Sequence, residues 1–140
     1  MSDFIETRII KAIRTLLTGR VNEILQNDFL EIPIIEFCDH GFGMVPAVAL
    51  SSCECSEKER VIRLDAYTAT ITFALPDSFE SEIQCYAYGA AVCRAVKENP
   101  TLGGAADRAV MTGEKYTPPK ISGCGDYWCV ALTLRVTVEN

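Results

Sequence analysis

Cysteine and histidine are the side chains of this sequence best suited to chemistry, and seven cysteines accompany a single histidine. Cys38 precedes His40 by two positions, and a thiol close to an imidazole is what a cysteine nucleophile requires. Because His40 is the only histidine, every histidine-dependent mechanism has to use it. His40 stands between Asp39 and Gly41 in a segment typical of a solvated loop, so we predict no catalytic role for it.

The cysteine spacings also bear on metal binding. Structural zinc sites usually pair their ligands at C-x2-4-C or H-x3-5-H spacing, and only Cys124 and Cys129 come near such a spacing. Cys53 and Cys55 are expected to point to one face of a strand. One loose pair is weak support for a metal, so we predict no metal site and leave a metal-stabilised binding module as an alternative.

The remaining catalytic and cofactor motifs are absent from the sequence. "GFGMVP" lacks the third glycine of a dinucleotide-binding turn, and neither a G-x4-G-K-[ST] loop nor a G-x-S-x-G elbow occurs. Carboxylates spaced two apart, such as Glu80 with Glu82, are typical of solvated charge. We therefore predict no cofactor and no enzymatic activity.

Composition limits the protein to one globular domain spanning residues 1–140. The chain is 49% apolar, contains no uninterrupted apolar run of about 18 residues and carries a net charge of -6. That acidic balance argues against sequence-specific or general nucleic-acid binding, and neither a membrane span nor a signal peptide is predicted. An odd cysteine count without an export signal indicates reduced thiols in the cytoplasm, with Cys85 and Cys93 as helix core residues.

Two helices are predicted from apolar spacing at three- and four-residue steps. The first occupies the N-terminus, is ended or bent by Gly19, and is followed by a short helix in "VNEILQNDFL". Its basic residues are expected to form a solvated face: Arg8, Lys11, Arg14 and Arg20. The second runs through "SFESEIQCYAYGAAVCRAVKEN", with Asp77 or Ser78 as its cap. Its expected buried face comprises Phe79, Ile83, Ala87, Ala90 or Ala91, and Val96.

Strands are predicted in "IPIIEFC", "VPAVALSSCEC", "RVIRLDAYTATITFAL", a short segment after "GG", and "DYWCVALTLRVTVEN". The third alternates Tyr67, Ala69, Ile71 and Phe73 with threonines, which is the period of a half-buried strand. "SEKER" is expected to be a charged hairpin tip. The predicted fold class is α+β, a single domain with a mainly antiparallel sheet of about four to five strands and two principal helices packed on one face.

The segment "ENPTLGG" is expected to reverse the chain between the second helix and the next strand. Pro100 cannot continue the helix, and Gly103 and Gly104 can adopt positive φ. Leu102 would anchor the turn by burial and Thr101 by a local hydrogen bond. This turn needs no catalytic explanation.

Taken together, "YTATITFAL", a helix, "ENPTLGGAADRAV", a tyrosine-containing strand and "YWCVALTLRVTVEN" resemble the tail terminator, or tail completion, proteins of long-tailed bacteriophages and prophages. The similarity covers approximately residues 48–138. Its most distinctive part is the Asn-Pro-Thr-Leu-Gly-Gly turn followed by Asp107 and Ala109, which matches a family habit of "N-P-x-L-G-G" leading into "D-x-a".

The resemblance implies a structural subunit of a homo-oligomeric ring, in known cases a hexamer, at the head-proximal end of the tail tube. There it would end tube polymerisation and bind the head connector or neck protein, first in the cytoplasm of the bacterial host and then in the virion tail. The implied partners are therefore a second copy of the chain, the tail tube protein and the connector. The residues expected at interfaces are Asn99, Pro100, Thr101, Leu102, Gly103, Gly104, Asp107, Arg108, Glu57, Lys58, Glu59 and Arg60.

We expect an isolated subunit of this kind to expose an apolar or mixed patch, with Leu102 and Met111 as a possible centre. Two other functions stay open from the sequence. One is a neck or head-completion adaptor, which shares the general architecture. The other is a cysteine-dependent enzyme or redox protein that uses Cys53, Cys55 or Cys38 with His40.

Overall fold

The computed structural model describes residues 4–29, 32–37, 43–58, 62–120 and 125–139. It has an α+β fold with one four-stranded antiparallel sheet in the order β1-β2-β4-β3. The elements are α1 (Ile5–Leu16), a π-helical turn (Leu17–Val21), α2 (Asn22–Asp28), β1 (Ala47–Lys58), β2 (Ile62–Pro76), α3 (Ser81–Glu98), a 3-10 turn (Leu102–Gly104), β3 (Arg108–Thr117) and β4 (Tyr127–Glu139). The predicted fold class is confirmed.

The N-terminal helices α1 and α2 are joined without a break by the π-helical turn, which contains Gly19. Buried residues recur there at four-residue steps: Ile9, Ile13, Leu17, Val21 and Leu25. Four residues exceed one α-helical turn, so this stripe would wind around a regular α-helix. The wider π turn takes up the excess and keeps the stripe facing the sheet.

The sheet buries one face beneath the helices. On β2, Tyr67, Ala69, Ile71 and Phe73 are each no more than 5% exposed, whereas the threonines between them are half-buried on the other face. The β4 residues on the covered face are also buried: Val130, Leu132, Leu134, Val136 and Val138. The alternation predicted for β2 is therefore confirmed, and β4 shows the same period. The Phe73 ring stacks on Tyr88 of α3 with 4.8 Å between centroids, which joins the two layers.

Helix α3 begins later and faces the sheet differently from the prediction. Phe79 precedes the helix and is fully exposed, and Ile83 is 71% exposed, so neither belongs to the core. Ala90 is also exposed, while the predicted Ala87, Ala91 and Val96 are buried. The face packed on the sheet is formed by Ser81, Cys85, Tyr88, Val92 and Ala95.

The predicted cap of α3 is also wrong, because neither Asp77 nor Ser78 occupies the cap position. Glu80 does, without a side-chain cap. Buried Ser81 instead holds the residues just before the helix by hydrogen bonds. Its Oγ donates to the carbonyl of Pro76 at 2.6 Å and accepts from the Ser78 N–H at 3.0 Å. These bonds bring the helix start against the end of β2.

The strand predicted in "IPIIEFC" does not form among its described residues. Ile35 makes only an isolated parallel bridge to Met44. Asn22, which is buried, holds the Ile35 main chain instead: its amide donates to the Ile35 carbonyl at 2.8 Å, and its Oδ1 accepts from the Ile35 N–H at 2.7 Å. Across the described residues, no helix has the length and apolar character needed to cross a membrane.

Candidate interface surfaces and the cysteine cluster

The turn at 99–104 is a compact chain reversal held by main-chain hydrogen bonds. Leu102, Gly103 and Gly104 all have positive φ, at 49°, 69° and 93°. The Thr101 carbonyl accepts from the N–H groups of Gly104 at 3.0 Å and Ala106 at 3.1 Å. The positive φ predicted for the two glycines is confirmed, and so is the burial of Leu102, which is 5% exposed. Thr101 contributes through its carbonyl.

Asp107 has a structural role within the subunit. Its carboxylate accepts from the Glu139 N–H at 2.6 Å, and its own N–H donates to the Thr137 carbonyl at 2.9 Å. These bonds join the turn to the end of β4. Arg108, at the start of β3, is exposed. A substitution of Asp107 therefore affects the fold as well as any interface, whereas Arg108 offers a cleaner test of subunit contact.

A groove of about 500 Å³ separates this turn from the N-terminal helix. Arg8, Lys11 and Arg20 contribute to one wall, and the turn contributes the other. Arg20 donates to both carboxylate oxygens of Glu98, at 3.0 and 2.9 Å, and this contact holds the pKa of Glu98 below its ordinary value. The predicted interface turn thus faces Arg8 and Lys11 across the groove, while the charge of Arg20 is paired with Glu98.

The predicted hairpin contacts lie at the far ends of β1 and β2. Glu57 is exposed and pairs with Arg63 across the ladder. The backbone of Lys58 ends β1 opposite Ile62. Glu59 and Arg60 lie outside the described residues. Glu57 and Lys58 therefore lie at the outer end of the hairpin that β1 and β2 form at one edge of the sheet.

The apolar patch expected around Leu102 and Met111 is wrong, since Leu102 is buried and Met111 is half-buried against the core. Among the described residues, three of the seven exposed large apolar side chains lie on α3 or directly before it. Phe79 is fully exposed, Ile83 is 71% exposed and Tyr86 is 46% exposed. Ile83 and Tyr86 share one face of α3 and Phe79 lies just before the helix, and we call these three residues the α3 stripe. Sequence reasoning assigned two of these residues to the core.

A cluster of polar and thiol groups lies on the helix-facing side of the β1–β2 hairpin. The ladder pairs Cys53 with Tyr67 and Cys55 with Asp65. The Cys53 and Cys55 Sγ atoms and a carboxylate oxygen of Asp65 all lie within 4.8 Å of one another. Arg63 donates to Asp65 at 2.8 Å and to the Cys55 Sγ at 3.0 Å. Both cysteines are exposed, whereas Asp65 is 3% exposed.

Electrostatics in this cluster oppose spontaneous ionisation of Cys53. Partial removal from water raises the pKa of its thiol, and a hydrogen bond with Tyr67 acts in the opposite direction. Burial and the contact with Cys53 raise the pKa of Tyr67 to about 12, so its hydroxyl is protonated at neutral pH. The cluster therefore contains a neutral phenol beside Cys53, and its carboxylate, Asp65, accepts a hydrogen bond from Arg63.

Two further cysteines lie on α3, apart from this cluster. Cys85 is buried on α3, where burial raises its pKa to about 11, and Cys93 is half-buried on the same helix. The predicted core location is thus confirmed for Cys85, whereas Cys93 lies only partly in the core. Cys38, His40 and Cys124 lie outside the described residues, so the predictions that involve them remain predictions.

The missed member of the cluster is Asp65, which stands ten residues from Cys55 in the sequence. The observed register places the centre of the hairpin two positions after the centre of "SEKER", so the sequence pattern alone does not pair Cys55 with Asp65. Comparison of the chain with protein-family models gave no match, and comparison with curated proteins gave no match either.

Proposed function

We propose that this chain is a structural phage tail protein that assembles into a homo-oligomeric ring, a hexamer by analogy with the resembled family, at the head-proximal end of the tail tube. The ring stops tube polymerisation and provides the surface that the head connector binds. The motif resemblance set out above suggests this function, and features of the subunit surface support it.

The order of elements supports the proposal. The segments that carry the resemblance are β2, α3, the turn at 99–104, β3 and β4, in that sequence along the chain. They are consecutive parts of one sheet and its covering helix. The distinctive turn serves to bring the chain from α3 into the sheet edge, a structural task consistent with a protein that acts through surfaces.

The α3 stripe is the observation that supports the proposal most strongly. Ile83 and Tyr86 are exposed on α3 and Phe79 is exposed just before it, whereas the opposite face of the helix is buried against the sheet. A monomeric protein rarely retains such a group, because shielding it from water is favourable by about 25 cal/mol per Å². We assign this stripe to the contact with the neighbouring copy in the ring.

The sheet offers a second surface suited to ring formation. Among the described strands, β1 and β3 each have one edge without a strand neighbour, and they lie at opposite sides of the sheet. A ring needs two different complementary surfaces on each subunit, because each subunit binds the next one head to tail through two unlike patches. The α3 stripe and one sheet edge provide unlike surfaces of this kind.

Tube assembly in vitro tests the proposal. Tail tube protein of the same phage or prophage is allowed to polymerise with and without this protein, and tube lengths are measured by negative-stain electron microscopy. We expect shorter tubes with a ring at one end. A Phe79→Ser, Ile83→Ser double variant should fold normally and leave tubes long. The control is Phe4→Ser, which changes a residue that is 60% exposed just before α1, and it should behave like the unmodified chain. If tube lengths were the same with and without the unmodified protein, termination would be refuted.

A further inference from the structure

We propose that Cys53, Cys55 and Asp65 form a binding site for one thiophilic divalent cation of the Zn²⁺ class, at the outer end of the β1–β2 hairpin. This inference is independent of the tail function, because it rests only on the donor atoms and the strand register. It also departs from the sequence prediction of no metal site, which considered spacing along the chain and not across the sheet.

Strand geometry places the three donors together. Cys53 and Cys55 are two positions apart on β1, so both thiols leave the same face of the strand. Asp65 on β2 is the cross-strand partner of Cys55, and partners in a ladder project to the same side. The three ligand atoms lie within 4.8 Å of one another, although they come from two separate segments.

The donor set indicates which ion would bind. Two thiolates and one carboxylate suit Zn²⁺ and related cations, whereas Mg²⁺ and Ca²⁺ prefer oxygen donors alone. Zn–S bonds of about 2.3 Å in a tetrahedron place two sulfur atoms about 3.8 Å apart. Contracting the present arrangement by at most about 1 Å therefore brings the sulfur atoms to this separation. Both thiols are exposed, so rotation of their side chains suffices and solvent can provide the fourth ligand.

Asp65 provides the fixed part of the site. Its carboxylate is 3% exposed and lies at the base of the cluster, while the thiols are at its solvent side. A carboxylate held in one orientation reduces the ordering that a cation must impose on its ligands. The site is therefore partly organised before a metal arrives.

Arg63 is a group that a cation must displace. Its guanidinium contacts both Asp65 and the Cys55 Sγ, and it supplies positive charge where a metal would bind. The Arg63 side chain is 61% exposed, so it can turn into solvent without breaking core contacts. Removing its charge should strengthen metal binding, an outcome that a purely structural role for Arg63 does not give.

Cobalt titration of the full chain tests the site. Co²⁺ is added anaerobically to the fully reduced protein, and the thiolate-to-cobalt charge-transfer absorption and tetrahedral visible bands are recorded. We expect one Co²⁺ per chain, displaced by Zn²⁺. Cys53→Ser and Cys55→Ser should each weaken binding by at least about 100-fold, since loss of an outer partner alone costs 10–100-fold. The control Cys93→Ser should bind normally.

Two further variants keep the inference falsifiable. Arg63→Gln should tighten binding several-fold, and Asp65→Asn should weaken it while circular dichroism confirms an intact fold. Three results would overturn the site: no charge-transfer band in reduced protein, a band that survives the Cys53→Ser, Cys55→Ser double substitution, or a correctly folded Asp65→Asn variant with unchanged affinity. Weaker binding by Arg63→Gln would equally contradict the assigned competition.

Discussion

Gly89 provides the sharpest test of the packing between α3 and the sheet. It is buried in the middle of α3, and a Cβ added there would overlap the Tyr116 Oη of β3. Real Cβ atoms do not approach an oxygen so closely, so Gly89→Ala must displace the tyrosine or the helix. The glycine is therefore required by the close approach of α3 to Tyr116.

Two opposing terms set the magnitude. Alanine is favoured over glycine inside a helix by about 0.8–1.0 kcal/mol. Overpacking a tight contact costs about 1–3 kcal/mol. Rotating Tyr116 away would also disturb its edge contact with Tyr86, where the ring centroids are 5.0 Å apart and such a pair contributes about 0.5–1.5 kcal/mol. We expect Gly89→Ala to lower the free energy of unfolding by about 1 kcal/mol, or Tm by roughly 4 °C.

Tyr116→Phe isolates the clash in a double-mutant cycle. It removes the offending oxygen and leaves Cζ at 3.1 Å, a contact that a small shift relieves. Its own cost should be small, because the hydroxyl's hydrogen bond within the described part of the chain is a long one, 3.4 Å to Glu114. In this background Gly89→Ala should be neutral or stabilising by up to about 1 kcal/mol, which gives a coupling energy of at least about 1 kcal/mol.

Urea denaturation of the four proteins measures this coupling, and Ala90→Gly serves as the control. Ala90 is exposed on the same helix, so its replacement reports the local alanine-to-glycine difference without a clash. If Gly89→Ala stabilised the protein by the Ala90 increment in both backgrounds, α3 would not approach Tyr116 as described.

Three further outcomes are expected. Asn22→Ala should lower the free energy of unfolding by about 2–4 kcal/mol in chemical denaturation, because it strands the buried N–H and carbonyl of Ile35; a loss below about 0.5 kcal/mol would contradict these bonds. Glu98→Gln should be destabilising at neutral pH and increasingly neutral as pH falls through the lowered pKa of Glu98, since its bond to Arg20 stabilises only the carboxylate; a difference that persists in acid would refute this linkage. Asp107→Ala should increase hydrogen exchange at the end of β4, and an unchanged exchange rate at that end would count against its bond to the strand.

The sequence predicted the strands more reliably than the helix faces, for a physical reason. On β2, alternate residues differ sharply in polarity, as with Ile71 and Thr72, so only one face can be buried. On α3, small residues such as Ala87 and Ala90 fit either face. The large apolar Phe79 and Ile83 then suggested a core that the structure places elsewhere.

The prediction of a strand around Ile35 was wrong for a different reason. Its apolar run was compatible with a buried strand, but the preferred partner of its main chain is the Asn22 side chain rather than a neighbouring strand. No local pattern reveals a bond that joins a helix to a segment 13 residues away. Hydrophobicity predicted the burial of Ile35 and could not predict how its backbone is satisfied.

The candidate sites show the same division. The turn geometry at Gly103 and Gly104 follows from local chemistry and was predictable. The cysteine cluster depends on hairpin register, and the α3 stripe depends on which helix face the sheet covers. Each needs long-range packing, so the sequence supplied the residues without their grouping.

Electron microscopy of induced lysates, with this gene deleted and then restored, tests the central claim most directly. The account predicts overlong or irregular tails without heads in the deletion, and normal particles once the gene is returned. Restoration with the Phe79→Ser, Ile83→Ser variant should fail, while the Phe4→Ser control should succeed. Tails of normal length in the deletion strain would contradict tail termination, and if those tails stood beside filled, tailless heads, the protein would belong to the neck.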